Sequence, residues 1–271
     1  MQRGVVEPFS DFPAEVCRSI RFILTDIDDT LTFEGRLAAR TYDALERLHE
    51  AGLKIIPVTA APAGWCDQIV RMWPIDGIIG ENGGFYFVFD HEAKTVRRRF
   101  WLDEAARSEA MPRLGELAAT ITAQVSGAGT AADQRYRETT LAFEFSTPES
   151  RMRGGTRIAQ LLRGAGARAT INSLWTIGWF GDFDKLAMAR AMASEIFGHD
   201  LAAMRDSTMY VGDSLNDEPM FDFFPHSVGV STVKAFLSRM KSPPGWITRG
   251  PGGAGFVEVA DALLQHRSIA P

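Results

Sequence analysis

Three aspartates, Asp26, Asp28 and Asp29, crowd into four positions of the stretch FILTDIDDTLT at residues 22–32. Like charges this close repel unless something positive sits among them. Elsewhere Thr59 ends the apolar run KIIPV, Asp213 ends TMYVG, and Lys185 opens a helix-like segment. Aspartate and lysine are almost never fully buried without partners, so packing alone does not account for the set. Oxygen ligands without histidine or cysteine neighbours indicate a hard cation, most simply Mg2+. The spacing of Asp26 and Asp28 lets two carboxyls address one reaction centre, one as nucleophile and the other handling a proton. A lysine and a threonine hydroxyl suit phosphoryl oxygens. Together these residue types point to magnesium-assisted phosphoryl transfer through an aspartyl-phosphate. Taken singly, each aspartate could instead cap a turn at a strand end, and Lys185 could be a surface helix residue.

Chemistry of this kind needs elements that bring distant residues to one place. RFILTD is short, apolar and bounded, and predicts a buried strand. RLAARTYDALERLHEAG follows with helical spacing and a stop at Gly52. LKIIPVTA predicts a second strand, GWCDQIVRMWP a short helix and DGIIG a third strand. This alternation implies a parallel sheet with right-handed crossovers, whose ligands bind beyond the carboxyl ends of the strands. The alternation then breaks. GGFYFVFDHEAKTVRRRFW predicts two strands around a turn at 90–94, LDEAARSEAMPRLGELAATITAQV a helix, and TTLAFEFS a half-buried strand. Thr147-Pro148-Glu149 is a helix start, and ARATINSLWTIGWF predicts one or two strands. From Asp184 the first pattern resumes: a helix closed by Gly198, the strand STMYVGD, the short helix NDEPMFDFF, the strand SVGV, the helix TVKAFLSRM, then GWIT and a last helix in GFVEVADALLQH. The glycine-rich RGPGGAGF (249–256) lacks the Lys-Ser/Thr of a phosphate-binding loop and is expected to be a plain loop. The expected fold class is α/β, a Rossmann-like doubly wound parallel sheet formed by 1–100 and 181–271, with an α+β cap inserted at 101–180.

Bulk properties exclude several function classes. The chain has 271 residues, 45% hydrophobic and 23% charged, with a net charge of −5. That charge argues against nucleic-acid binding. The two cysteines, Cys17 and Cys66, have no paired spacing, so neither a disulfide framework nor a zinc site is expected, and a reducing compartment fits. No apolar run approaches the roughly 18–20 residues of a membrane span, and the N-terminus lacks the apolar centre of a signal peptide. A cytoplasmic protein with no membrane partner is expected; nothing in the sequence sets an oligomeric state.

Four motifs in order resemble the haloacid dehalogenase superfamily of phosphohydrolases: DIDDT at 26–30, VTA at 58–60, DK at 184–185 and GDSLND at 212–217. ENGG at 81–84 and the insertion between motifs two and three resemble the type II subclass with an α/β cap. WITRGPGGAGFVEVADALL is similar to the tail of its sucrose-phosphate and mannosyl-3-phosphoglycerate phosphatase branch. The resemblance implies Asp26 as nucleophile and metal ligand. It implies Asp28 as general acid/base with its backbone carbonyl on the metal, and Asp213 as third ligand. Thr59 and the Ala60 amide would hold the phosphoryl group, Lys185 would neutralise it, and Asp217 would orient Lys185 or a metal-bound water. Asn216 would touch the phosphate, and Asn82 and Asn172 are candidate substrate contacts. Many relatives carry Gly-Arg after the motif-two hydroxyl, whereas this chain has Ala60-Ala61-Pro62. The implied activity is Mg2+-dependent hydrolysis of a small phosphorylated metabolite such as a sugar phosphate. A phosphomutase would return the phosphate to its substrate, and a receiver-type phospho-acceptor would need neither the cap nor an acid two residues after the phosphorylated aspartate.

Three further features carry alternatives. Trp175 and Trp179 could stack on a sugar ring or pack in the core. Arg97–Arg99 is expected on a solvated hairpin strand. Arg151, Arg153, Arg157, Arg163 and Arg168 fall in a stretch without acids, either a solvated helix face or a positive surface that draws in an anionic substrate.

Overall fold

The computed structural model describes residues 6–145, 147–172 and 174–267, without the side chains of 148, 149, 151 and 152. Ser146 and Ser173 therefore lie outside the described residues, as does the Arg151 side chain.

Six parallel strands form the main sheet, in the order Glu7–Pro8, Trp246–Ile247, His226–Gly229, Thr208–Gly212, Phe22–Thr25 and Lys54–Pro57. A bridge between Val58 and Ile79 continues it into a three-stranded antiparallel sheet, Ile78–Gly80, Phe85–Asp90 and Thr95–Phe100. The central strands are apolar on both faces because helices cover both. Ala44, Leu45 and Leu48 of helix Ala39–Glu50 pack on one face with Phe256, Val259 and Leu263 of helix Gly252–Gln265. Met188, Ala189 and Met192 of helix Lys185–Phe197 cover the other.

The insertion is a four-stranded antiparallel sheet in the order Arg168–Ile171, Thr176–Trp179, Leu141–Phe145 and Ala128–Thr130. Helices Glu104–Gln124 and Pro148–Gly164 share a core with one of its faces through Leu114, Ile121, Phe143, Ile158 and Leu162. Thr147 caps the second helix in a reciprocal box with Ser150. Ala142, Trp175, Ile177 and Trp179 pack together with Ala60, in the loop that follows strand Lys54–Pro57. The expected α/β class with an α+β insertion is the observed one.

Two expectations are corrected. TVKAFLSRM is not an α-helix but two 3-10 turns, Ser231–Ala235 and Leu237–Arg239. The backbone bonds here close i→i−3 turns, from Phe236 to Val233 and from Arg239 to Phe236. The glycine-rich 249–256 is loop only as far as Pro251. The last helix starts at Gly252, and its first turn packs against the Thr32–Phe33 strand.

A buried carboxylate joins the insertion to the sheet. Glu81 is fully buried. It accepts from the amides of Ala63, Glu138 and Thr139 and from the hydroxyls of Thr139 and Thr140, all at 2.7–3.0 Å. Hydrogen bonds to a charged acceptor are stronger than neutral ones, and leaving buried donors unpaired costs more than the bond itself gains. Glu81→Ala is expected to lower unfolding free energy by roughly 3–5 kcal/mol. Glu81→Gln, which keeps one acceptor oxygen, is expected to cost less. Urea unfolding of the three proteins checks the order.

Candidate active site

Adjacent strands deliver the central carboxylates. Phe22–Thr25 and Thr208–Gly212 pair in parallel with Thr25 opposite Val211. Asp26 and Asp213, the residues just past their carboxyl ends, therefore leave the sheet close together, and the Asp26 amide still donates to the Val211 carbonyl at 2.9 Å. Thr59 follows the neighbouring strand Lys54–Pro57, its amide bonded to the Ile79 carbonyl at 2.8 Å. Lys185 is the first residue of its helix. Asp184 caps that helix by accepting from the Ala187 amide at 2.8 Å, and so fixes where the lysine leaves the backbone.

Lys185 is buried, not a surface residue. Its Nζ donates to Asp26 Oδ1 at 2.8 Å and to Asp217 Oδ1 at 2.7 Å. Asp217 Oδ1 also accepts from the Tyr210 hydroxyl at 2.5 Å, and Oδ2 from the amides of Asp213 and Ser214, each at 3.0 Å. This fold-back needs the glycine of the GDSLND motif, because a Cβ on Gly212 would lie 2.7 Å from the Asp217 carboxylate. Burial alone would lower the Lys185 pKa, but the Asp217 and Asp26 charges outweigh it and hold the ammonium well above its ordinary value. Burial pushes Asp26 up to about 8 against the pull of Lys185. Burial, with the charges of Asp217 and Asp26, also raises Asp213. Asp28 is pushed up to about 6, first by burial and then by the Asp29 charge.

Side-chain oxygens of Asp26, Asp213 and Asp217 lie within 4.8 Å of one another. One ammonium balances only part of their charge, and an all-oxygen set suits a hard divalent cation. The three are not equivalent. Asp217 has both oxygens engaged, by Lys185 and Tyr210 on one and by two amides on the other. Asp26 and Asp213 are the carboxylates left with ligating capacity; Asp213 Oδ1 accepts from the Thr30 hydroxyl at 3.2 Å. The residues thus fit Mg2+, with Asp217 acting on Lys185 rather than as a ligand.

Around this centre stand groups suited to a phosphate and its ester. Thr59 Oγ1 accepts from the Ala61 amide at 3.0 Å, which leaves its own O–H to donate elsewhere. Asn216 Nδ2 reaches Asn82 Oδ1 at 3.4 Å. Asn82 Nδ2 and Asp28 Oδ2 are buried without a partner among the described residues. Asn82 has a φ of 57°. The glycine after it lets this turn meet the Lys185 helix, since a Cβ on Gly83 would lie 2.1 Å from the Asp184 carbonyl. Lys185, Asn82 and Asn216 open onto a cavity of about 430 Å3 whose far wall carries Arg163, Arg168, Thr170 and Trp179 of the insertion.

The residues singled out by sequence thus meet at one end of the sheet, with a few exceptions. Asn172 closes its own turn, its Oδ1 accepting from the amides of Leu174 and Trp175, and it does not border the cavity that Asn82 lines. Trp175 is packed under Arg137, whereas Trp179 is packed on Phe183 and also borders the cavity. Arg153 and Arg157 are exposed, and neither lines the cavity that Arg163 and Arg168 border. Sequence reasoning missed Tyr210, Glu81 and Arg137. A tyrosine in an apolar strand and a glutamate amid IIGENGGF were the available signals, since each needs a polar partner when buried.

Fold and site define a class. Residues 23–124 match the family described as haloacid dehalogenase-like hydrolase. Solved structures share the fold over nearly the whole chain. The trehalose-6-phosphate phosphatase C-terminal domain of C. albicans is similar at a TM-score of 0.68 and 12% identity, covering 93% of this chain and 95% of that one. A haloacid dehalogenase-like hydrolase from Bacteroides thetaiotaomicron gives 0.61 and 16%, covering 89% and 98%. The sucrose-phosphatase of Synechocystis sp. PCC6803 gives 0.57 and 10%, covering 91% and 98%. No curated protein matches by sequence. Over residues 23–124 the pattern is similar to that of haloacid dehalogenase-like hydrolases, and the fold of the whole chain is similar to theirs.

Removing the ammonium leaves buried carboxylates uncompensated. Lys185→Met is expected to lower stability by roughly 3–5 kcal/mol at neutral pH in metal-free buffer. A carboxyl whose folded pKa is raised favours the fold when protonated and disfavours it as pH rises through that pKa. With Asp26 at about 8 beside Lys185 and pushed higher once the ammonium is gone, the two proteins differ in Asp26 protonation only above that pH, so the deficit should grow as pH rises past about 8. Unfolding free energies of both proteins from neutral pH to above the Asp26 pKa check the sign.

Proposed function

We propose that this protein is a Mg2+-dependent phosphomonoester hydrolase acting through an aspartyl-phosphate. Its substrate would be a phosphorylated sugar or related small metabolite, with residues 101–180 serving as cap over a core of 1–100 and 181–271. The observation that carries this reading is the buried Lys185 ammonium shared by Asp26 and Asp217 beside Asp213. The fold shared with a trehalose-6-phosphate phosphatase and a sucrose-phosphatase supports it.

The chain's residues divide the work. Asp26 attacks phosphorus and forms the acyl phosphate while the ester oxygen departs. Asp28, pushed up to about 6 and with one oxygen unpartnered, gives that oxygen its proton. It then takes one from the water that attacks phosphorus and regenerates Asp26. Lys185 offsets charge on the phosphoryl oxygens and stays oriented by Asp217. The Thr59 hydroxyl, the Ala60 amide and Asn216 would hold the phosphoryl group in line. Mg2+, held by Asp26, Asp213 and the Asp28 backbone carbonyl, would supply positive charge against the phosphoryl oxygens.

Asp26→Asn keeps shape but removes the attacking charge. Phosphate release from p-nitrophenyl phosphate should fall by several orders of magnitude, as when a covalent nucleophile is lost. The wild-type enzyme should lose activity in excess chelator and regain it with Mg2+. Near-normal turnover of Asp26→Asn would sink the mechanism, and full activity under chelation would remove the metal.

In this reading the arginines that meet substrate are those that border the cavity. Arg163 donates to the Ala169 carbonyl at 2.8 Å, and Arg168 binds Asp182 and lies 3.7 Å from Asp184. Both border the cavity that holds Lys185. In a screen over phosphorylated metabolites, Arg163→Ala and Arg168→Ala should raise KM for the best substrate more than they change kcat. One charge-assisted contact contributes roughly 1.5–3 kcal/mol, or about ten- to hundredfold. Arg153→Ala with Arg157→Ala should leave KM unchanged. The reverse pattern would place recognition on the exposed helix face.

A further inference from the structure

Arg137 sits in the insertion with its guanidinium buried. Nε and Nη2 hold the Asp133 carboxylate at 3.2 and 3.1 Å. Nη1 crosses to the catalytic loop and donates to the Ala60 carbonyl at 2.9 Å, and also to the Thr140 hydroxyl at 3.2 Å. The guanidinium carbon lies 4.9 Å from the centre of the Trp175 ring.

The Ala60 carbonyl and the Ala61 N–H belong to one planar peptide unit. Its N–H is the group that donates to Thr59 Oγ1 at 3.0 Å. A single rigid plane is therefore gripped on its oxygen by Arg137 and on its hydrogen by the phosphoryl-binding threonine. If the plane turned, the Thr59 acceptor site would be freed and its hydroxyl could rotate to donate elsewhere. Docking of the insertion does not depend on this contact, because Glu81 already ties residues 138–140 down through four donors.

We propose that Arg137 is a positioning residue: acting from the insertion, it fixes the 60–61 peptide plane and thereby holds the Thr59 hydroxyl as a donor to the phosphoryl group. This rests on the reading of the protein as a phosphatase. Arg137 touches no reacting atom; its effect passes through Thr59.

A double-mutant cycle separates this role from a structural one. Arg137→Lys keeps the charge beside Asp133, but an ammonium lacks the fork that spans Asp133 and the Ala60 carbonyl together. With Mg2+ present, Arg137→Lys should lower kcat/KM for p-nitrophenyl phosphate at least tenfold in the wild-type background. In a Thr59→Ala background it should change kcat/KM by less than twofold. The same cycle read as orthovanadate affinity by calorimetry should show the same coupling without any turnover. If Arg137→Lys does not fold, the paired change Arg137→Gln with Asp133→Asn removes both charges together and carries the same expectation. Equal losses in both backgrounds, or a loss under twofold in the wild type, would overturn the proposal. Absence of phosphate release from the wild-type enzyme on every phosphomonoester would overturn the phosphatase reading instead, and the vanadate cycle would still decide the role of Arg137.

Discussion

One buried ammonium among carboxylates holds this site in being. Lys185 is 2% exposed, and its two partners, Asp26 and Asp217, are buried with it. Taking such charges out of water costs several kcal/mol each, offset only where geometry is close and the remaining lone pairs are filled. On Asp217 they are filled, by Tyr210 and two amides, whereas Asp26 keeps ligating capacity. The pairing of the two central strands brings Asp26 beside Asp213, and the helix capped by Asp184 brings in the lysine from the end of the insertion. Move any of these elements and a charge is stranded. The requirement for an oriented ammonium therefore constrains sheet order, helix start and the close turn at Gly212 together.

The insertion meets the core in two unlike ways. Along one edge it is held by buried, fully used groups: Glu81 takes up the 138–140 segment, and Arg137 joins Asp133, Thr140 and Ala60. Along the other edge, exposed arginines face Lys185, Asn82 and Asn216 across an open cavity. The first edge has its polar groups already paired with one another, so it has little left with which to bind a ligand. The second has donors to spare, including Asn82 Nδ2, which has no partner among the described residues. Unsatisfied polar groups on a cavity wall mark where a ligand's oxygens can replace water at small cost.

What the sequence disclosed follows from where each interaction lives. Asp26, Asp28, Thr59, Asp213 and Lys185 were legible because strand ends and helix starts are local signals, and motif order joined them. Asp217 was legible by position, but its full set of partners was not. Glu81 and Arg137 were not legible. Each acts across a gap in sequence, Glu81 on residues 57–59 positions away and Arg137 on one 77 away, and no pattern within either segment announces the other. The misread segment 232–240 fails for the opposite reason: its apolar spacing is helical, but its backbone closes in i→i−3 turns that this spacing does not distinguish from an α-helix.

The arginine run shows why charge alone does not locate a recognition surface. A spacing of four sets Arg153 and Arg157 on one helix face, and the helix forms as expected. Its buried side, with Ile158 and Leu162, is spent on the insertion's own core, so the exposed arginines point away from it into solvent. The chain then reverses through Ala165, Gly166 and Ala167, Gly166 taking a φ of 82°. That reversal returns Arg168 on a strand to the same cavity wall as Arg163. Two arginines five positions apart, one on a helix and one on a strand, therefore share a wall that two arginines four apart on a single helix do not reach. Which arginines reach the cavity wall is set by the turn that ends the helix, and the acid-free composition of the run is shared by both pairs and distinguishes neither.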